Sequence, residues 1–252
     1  MASLLSLSSL LGQSSITDDN EVLQAANAAL NKSGKDVDAQ HVKVVALLKL
    51  DRFDDALRTL EHGGAQLKER ARLEHAYALY KSGKPEEAAK IAHSVSGGDL
   101  DDRGMRHVEA QASYRNEDFE RAHQLFTQLA SRGGAVAHED VDLRINNGAV
   151  NAQLEWAARG HLVESKKPTR EDLEAFETAY NAACGSIARD ELGQAEVLLR
   201  RSKDLCNALE DLSESEKQAE ILPIIVQQIY VLVRQGRLEE ASSLAASINV
   251  DE

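Results

Sequence analysis

The hydrophobic and polar positions of this chain repeat one pattern. A short turn of small or charged residues leads to one apolar residue, then two mostly acidic or polar residues, then an alanine. Copies stand at 50–56, 82–88, 116–122, 189–195 and 235–241, with a fainter one at 19–25. Phe53, Pro85, Phe119, Leu192 and Leu238 hold the apolar place. The alanines fall at 25, 56, 88, 122, 195 and 241, so they are separated by 31, 32, 34, 73 and 46 residues. The first three separations approach a period of about 34, the fourth is about two periods, and the last is one period with a longer loop. A degenerate repeat is therefore expected between 122 and 195. Glycine pairs at 63–64, 97–98 and 133–134 lie 34 and 36 residues apart. Each pair is expected to end a second helix in the left-handed backbone that glycine adopts freely.

A period of this length predicts tetratricopeptide-type helical hairpins. One hairpin cannot bury its apolar face alone, and stacking hairpins makes a continuous core. Small residues are needed where the two helices cross. Ala76, Ala110 and Ala183 fill that place on first helices, and Ala56, Ala88, Ala122, Ala195 and Ala241 on second helices. Acidic residues after each turn sit where the helix dipole favours them. Pro85 fits a first turn, where its missing N–H costs no hydrogen bond. The expected fold is all-α, a tetratricopeptide repeat superhelix (α-solenoid) of roughly five to six helical-hairpin repeats, irregular after residue 134.

The irregular part reads as follows. Residues 138–158 form one long helix with Leu143, Ala149, Leu154 and Trp156 on its apolar side. A loop over 160–167 replaces a second helix, and Thr169 with Asp172 approximates a capping box. Residues 212–218 are an exposed loop or helix end. Residues 1–17 lack the basic start of a signal peptide and read as a frayed or flexible segment. Residues 18–252 form the repeat domain. No polar capping helix follows the last repeat, which predicts the N-terminal part of a longer protein or an end covered by a partner.

Composition sharpens this picture. Helix-forming residues dominate, and aromatics make up 4% of the chain. With 29 Lys and Arg against 42 Asp and Glu, the net charge is −13. Nucleic-acid binding needs a basic footprint, so this balance disfavours RNA and, by the same argument, anionic membranes. No apolar run reaches the length of a membrane span. Cys184 and Cys206 sit in helical patterns as small buried hydrophobes and suit a reducing compartment. The eight histidines, at 41, 62, 75, 93, 107, 123, 138 and 161, match no metal-binding spacing. The Ser82 to Lys84 turn lacks the upstream glycine of a phosphate-binding loop. No catalytic motif is present, so the expectation is a non-enzyme without cofactor or metal.

In a curled repeat array the first helices line a groove. Counting from the crossing residues places His41, Val45, Leu48, Leu73, Tyr77, Tyr80, His107, Gln111, Tyr114, Asn146, Asn147, Tyr180, Asn181 and Tyr230 on that face, with Val226 beside the last. All five tyrosines of the chain are among them. Tyrosine offers large contact area at low entropy cost, and asparagine can bond both donor and acceptor of a peptide. A register shift of one residue would turn the tyrosines into the core instead.

The stretch 176–188, with its Tyr180, Asn181 and Cys184, followed by 192–195 and the helix to Cys206, resembles the seventy-two-kilodalton subunit family of the signal recognition particle. Segments 41–48, 76–80, 146–152 and 235–241 support the resemblance in order, from about residue 18 to the end. The resemblance implies a repeat domain that binds the C-terminal segment of the sixty-eight-kilodalton subunit in the groove. It implies a cytoplasmic particle, with assembly passing through the nucleus or nucleolus, that targets proteins to the endoplasmic reticulum. The family's lysine-rich RNA-binding segment is absent from these residues, so no direct nucleic-acid contact is implied. A co-chaperone-type array clamping a C-terminal carboxylate is the alternative. It needs basic residues where this chain has His41, Leu73 and His107.

Overall fold

A computed structural model describes residues 18–95, 103–131, 139–163 and 173–248. These residues form α-helices in the order α1 (Asp19–Lys32), α2 (Val37–Lys49), α3 (Phe53–Arg70), α4 (Arg72–Lys81), α5 (Pro85–Val95), α6 (Arg103–Arg115), α7 (Phe119–Ser131), α8 (Glu139–Trp156), α9 (Phe176–Ala188), α10 (Leu192–Asn207), α11 (Glu214–Arg234) and α12 (Leu238–Ala246). A 3-10 turn, Gly160–Leu162, follows α8. No strand occurs among the described residues. The all-α hairpin repeat expected from the pattern is the architecture observed.

The repeated motif has one backbone cause. Each first helix ends on a left-handed residue: Asp51, Gly83, Glu117, Asp190 and Gly236, with φ of 55, 75, 61, 63 and 77°. The amide of the next residue returns to the carbonyl five positions back. Arg52 bonds Leu47, Lys84 bonds Leu79, Asp118 bonds Ser113, and Arg237 bonds Leu232, all at 2.9 Å, and Glu191 bonds Ser186 at 2.8 Å. Paired with the inner bond from the left-handed residue, this is the Schellman ending. The apolar residue after it starts the second helix. The same ending closes α8. Ala158 has φ 58°, and Arg159 donates to Leu154 at 2.7 Å. There the next residue is Gly160, so no apolar side chain seats a second helix and only the 3-10 turn follows.

The chain divides into two units, Met1–Leu125 and Phe126–Glu252. In the first, successive helices α1 to α6 pack as neighbours, and α2 touches α4 while α4 touches α6. Ala56, Ala76, Ala88, Ala110 and Ala122 are fully buried at their crossings. Val44, Leu47, Leu60 and Leu67 form the core of the first hairpins. Glu109 is a buried charge, bonded by Arg121 and by His93.

In the second unit α8 packs on α9, α9 on α10, α10 on α11 and α11 on α12, and α9 also touches α11. Ala183, Ile187, Ala195, Leu198, Leu199, Cys206, Ile224 and Val231 make its core. Buried Ser202 donates to the Phe176 carbonyl at 2.8 Å and ties α10 to the start of α9. Arg189 joins the ends of α8 and α9 through Glu155, at 3.3 Å, and Glu191, at 2.9 Å.

Several expectations require correction. Gly64 has φ 68°, but helix resumes at once, so the glycine pair at 63–64 kinks α3 rather than ending it. On α1 Ala26 is fully buried, whereas Ala25 of the fainter copy is half-buried. Within 212–218, expected as a loop or helix end, the structure has the helix end: Ser213 and Glu216 form a reciprocal capping box that starts α11. Trp156 does not lie on the apolar side of α8; it is 60% exposed, and Val150 and Ala152 are buried with Leu143 and Leu154 instead. The glycine pairs at 97–98 and 133–134, His138, residues 164–167 of the loop expected over 160–167, the Thr169 and Asp172 cap, the segment 1–17 and residues 249–252 lie outside the described residues.

Candidate partner-binding surface

The first helices of unit 1 enclose a hollow. Leu48 from α2, Leu73, Glu74 and Tyr77 from α4, and Gly104, His107, Val108 and Gln111 from α6 line a cavity of about 390 Å³. On α6 these residues stand at helical spacing, i, i+3, i+4 and i+7, so one face supplies all four. On α4 the neighbouring positions Ala76, Ala78 and Leu79 are buried, which leaves Leu73 and Tyr77 on the open edge of the core. Tyr77 is held from behind by an edge-on contact with Phe53, ring centres 6.3 Å apart.

Five of the residues expected in a groove meet here: Leu48, Leu73, Tyr77, His107 and Gln111. His41 stands beside the cavity and places its Nε2 2.9 Å from Glu74 Oε1. Val45 is half-buried on α2 and outside the cavity lining. Tyr80 packs between the core clusters around Ala76 and Leu79, with the Arg115 guanidinium 5.4 Å over its ring. Tyr114 lies edge-on to Phe119 at 5.6 Å. Counting from the crossing alanines did not pick out Glu74, Gly104 or Val108. The signal that could have found Gly104 and Val108 was their spacing from His107 and Gln111 on one helical face.

Unit 2 holds the remaining expected residues. Asn181 donates from Nδ2 to the Ile145 carbonyl at 2.9 Å, a crosslink from α9 to α8. Gly148 permits that approach, since a Cβ there would lie 3.3 Å from Asn181 Cβ. Asn146 and Asn147 are half-buried on α8, and the Oδ1 atoms of Asn147 and Asn151, one turn apart, have no hydrogen-bond partner among the described residues. Tyr180 packs against the α9–α11 core. Tyr230 meets Trp156 edge-on at 6.5 Å and accepts a hydrogen bond from Arg234 at 2.7 Å. Trp156, with Leu222, Val226 and Val233 on α11, is an exposed large apolar side chain. On α11 these residues recur at three- and four-residue steps with Tyr230, which makes one stripe.

Two other hollows, of about 450 and 480 Å³, are lined largely by polar and charged side chains, several of them paired with one another. In one, Arg52 and Arg58 both bind Asp55 and hold its carboxyl below the usual range. In the other, Arg237 binds Glu196 and Glu240. Burial raises the thiol pKa of both Cys184 and Cys206, which disfavours the reactive thiolate. Among the described residues no group of His, Cys, Asp and Glu could hold a metal ion, and no helix is long and apolar enough to cross a membrane.

A family model for TPR-like repeats of the signal recognition particle matches residues 15–153. The signal recognition particle subunit SRP72 of Caenorhabditis elegans is 30% identical over 230 residues, covering 90% of this chain and 34% of that protein. The SRP72 proteins of Canis lupus familiaris and Homo sapiens are each 29% identical over 234 residues, covering 90% of this chain and 33% of their own length. The chain thus spans about a third of the length of the curated relatives it matches.

Proposed function

Since this chain belongs to the TPR-like repeat family of the signal recognition particle, we propose that it is a non-catalytic scaffold that binds another subunit of that particle. The partner is the C-terminal segment of the sixty-eight-kilodalton subunit, laid along the first helices with apolar side chains inserted. The bound unit serves particle assembly in the cytoplasm, for targeting of proteins to the endoplasmic reticulum. Residues 18–252 act together as the repeat domain, without a cofactor and without contacting RNA.

One observation carries this reading. The cavity between α2, α4 and α6 is lined by Leu48, Leu73, Tyr77 and Val108 together with Glu74, His107 and Gln111. That is a hollow with apolar side chains and a few hydrogen-bonding groups, the form a side-chain anchor needs. The carboxylate-clamp alternative requires cations in the same place, and among the described residues the one formally charged lining residue is Glu74.

The test is titration of the purified chain against the C-terminal segment of the sixty-eight-kilodalton subunit. Leu73→Ala and Tyr77→Ala should each weaken binding by about 2 kcal/mol, with the helical circular dichroism spectrum retained. Affinity unchanged in both variants, or co-purification with RNA alone, would reject the reading.

A further inference from the structure

We propose that the unit 1 cavity selects a basic amphipathic segment, taking one apolar side chain between α2, α4 and α6 while a neighbouring lysine or arginine reaches Glu74. This deepens the partner-binding role proposed above and rests on it.

Among the described residues Glu74 is the only formally charged one lining the cavity. Its carboxylate is mostly covered, with the side chain 22% exposed. Several other acids of this unit are matched to permanent cations: Asp55 to Arg52 and Arg58, Glu61 to Lys68, Glu69 to Arg72, Asp38 to Arg70, and Glu109 to Arg121. Among the described residues the ion-pair partner of Glu74 is His41, across 33 residues of sequence, and an imidazole is charged only when protonated. Among the described residues Glu74 therefore has no permanent cation as its ion-pair partner.

That charge decides what docks well. Covering a half-buried carboxylate with purely apolar atoms removes its remaining water and gives nothing back. Covering it with an ammonium or guanidinium replaces water with a charge-assisted hydrogen bond. An acidic segment or a terminal carboxylate is repelled here, and the net charge of −13 adds a long-range bias in the same direction. The walls Leu48, Leu73, Tyr77 and Val108 supply the apolar half of the recognition. On a helical partner the two required side chains stand three or four residues apart, because only that spacing shares a face. The long stems of lysine and arginine can lie along the apolar rim while the head reaches Glu74.

The experiment is selection of a random peptide library displayed on phage against the full 252-residue chain, in parallel with Glu74→Gln and Tyr77→Ala. Wild type should enrich peptides with a bulky apolar residue and a lysine or arginine within four positions of it. Glu74→Gln, which keeps the size of the side chain, should keep the apolar residue and lose the basic one. Tyr77→Ala should lose the apolar preference. As a second measurement on the unaltered chain, changing the basic residue of an enriched peptide to methionine should weaken binding about tenfold. The proposal is overturned if no peptide is enriched, if enriched peptides are acidic, if Glu74→Gln selects the same basic residue, or if the methionine peptide binds equally well. The library does not depend on the sixty-eight-kilodalton subunit. Should that segment fail to bind while the library result holds, the partner assignment falls and the cavity chemistry stands.

Discussion

Arg121 on α7 donates from Nη2 and Nε to a single carboxylate oxygen of Glu109 on α6, at 2.7 and 3.1 Å. The Glu109 side chain is 3% exposed, so it is a charge held inside a helical hairpin by a guanidinium that is itself one-third exposed. The alignment depends on the turn at 116–118, which sets the second helix against the first.

Arg121→Met keeps the apolar stem and removes the charge. It should destabilise the protein by about 3 kcal/mol, because a buried carboxylate loses a guanidinium partner. Adding Glu109→Gln should recover more than half of that loss, since removing both charges avoids the uncompensated one. Urea unfolding midpoints of the two single variants and the double variant check this. A single variant as stable as wild type would show that the pair contributes nothing.

The left-handed turn residues make a second prediction. Glu117 and Ala158 adopt φ of 61 and 58°, a conformation that costs an L-residue with a Cβ roughly 1–2 kcal/mol. Glu117→Gly and Ala158→Gly should each stabilise by about 0.5 kcal/mol, once the greater entropy of an unfolded glycine is subtracted. Gly236→Ala is the reverse case. Nothing lies within 4 Å of the added Cβ, so its expected loss of about 0.5 kcal/mol is backbone strain less the entropy that the unfolded glycine no longer holds. Thermal unfolding of the three variants should show two gains and one loss.

His75 predicts a dependence on pH. Burial holds its imidazole below the ordinary value of 6.5; Lys68 adds to the effect, and Glu61 and Glu87 oppose it. The unfolded chain therefore takes up this proton at a higher pH than the folded one. Below about pH 6.5 the unfolded state binds more protons, so stability falls as pH drops toward the folded value. His75→Gln should flatten the melting temperature between about pH 7 and pH 5.5. The contribution of Asp55 lies lower. Its folded pKa is depressed from 3.8 by Arg58 and Arg52, so its stabilisation persists at those pH values and is lost only in stronger acid. An unaltered slope in His75→Gln would remove His75 as the cause.

Trp156 is the only tryptophan of the chain, which makes the unit 2 edge directly observable. At 60% exposure its fluorescence should be that of a hydrated indole, readily quenched by acrylamide. If a partner covers Trp156 and Tyr230, emission should shift to the blue and quenching should fall. Trp156→Ala should cost less than about 0.5 kcal/mol of stability, as an exposed site, but about 2 kcal/mol of binding, as an aromatic anchor. Partner binding with no change in fluorescence would place the contact elsewhere.

Periodicity and turn chemistry were legible from the residues alone. The alanines at 56, 76, 88, 110, 122, 183, 195 and 241 were readable as crossing positions because close helix packing tolerates only small side chains, and the structure buries every one. The five turns were legible because a helix end is local, set by a few residues and their φ angles. What required the folded molecule was everything set by register between helices far apart in sequence. One residue of slip turns a side chain about 100° around its helix. Counting along the chain therefore could not place Trp156 in solvent, send Asn181 into a crosslink with Ile145, or bring Glu74 under His41. Only the stacking of α2, α4 and α6 decided that Leu48, Leu73, Tyr77, His107 and Gln111 share one cavity while Tyr80 turns into the core.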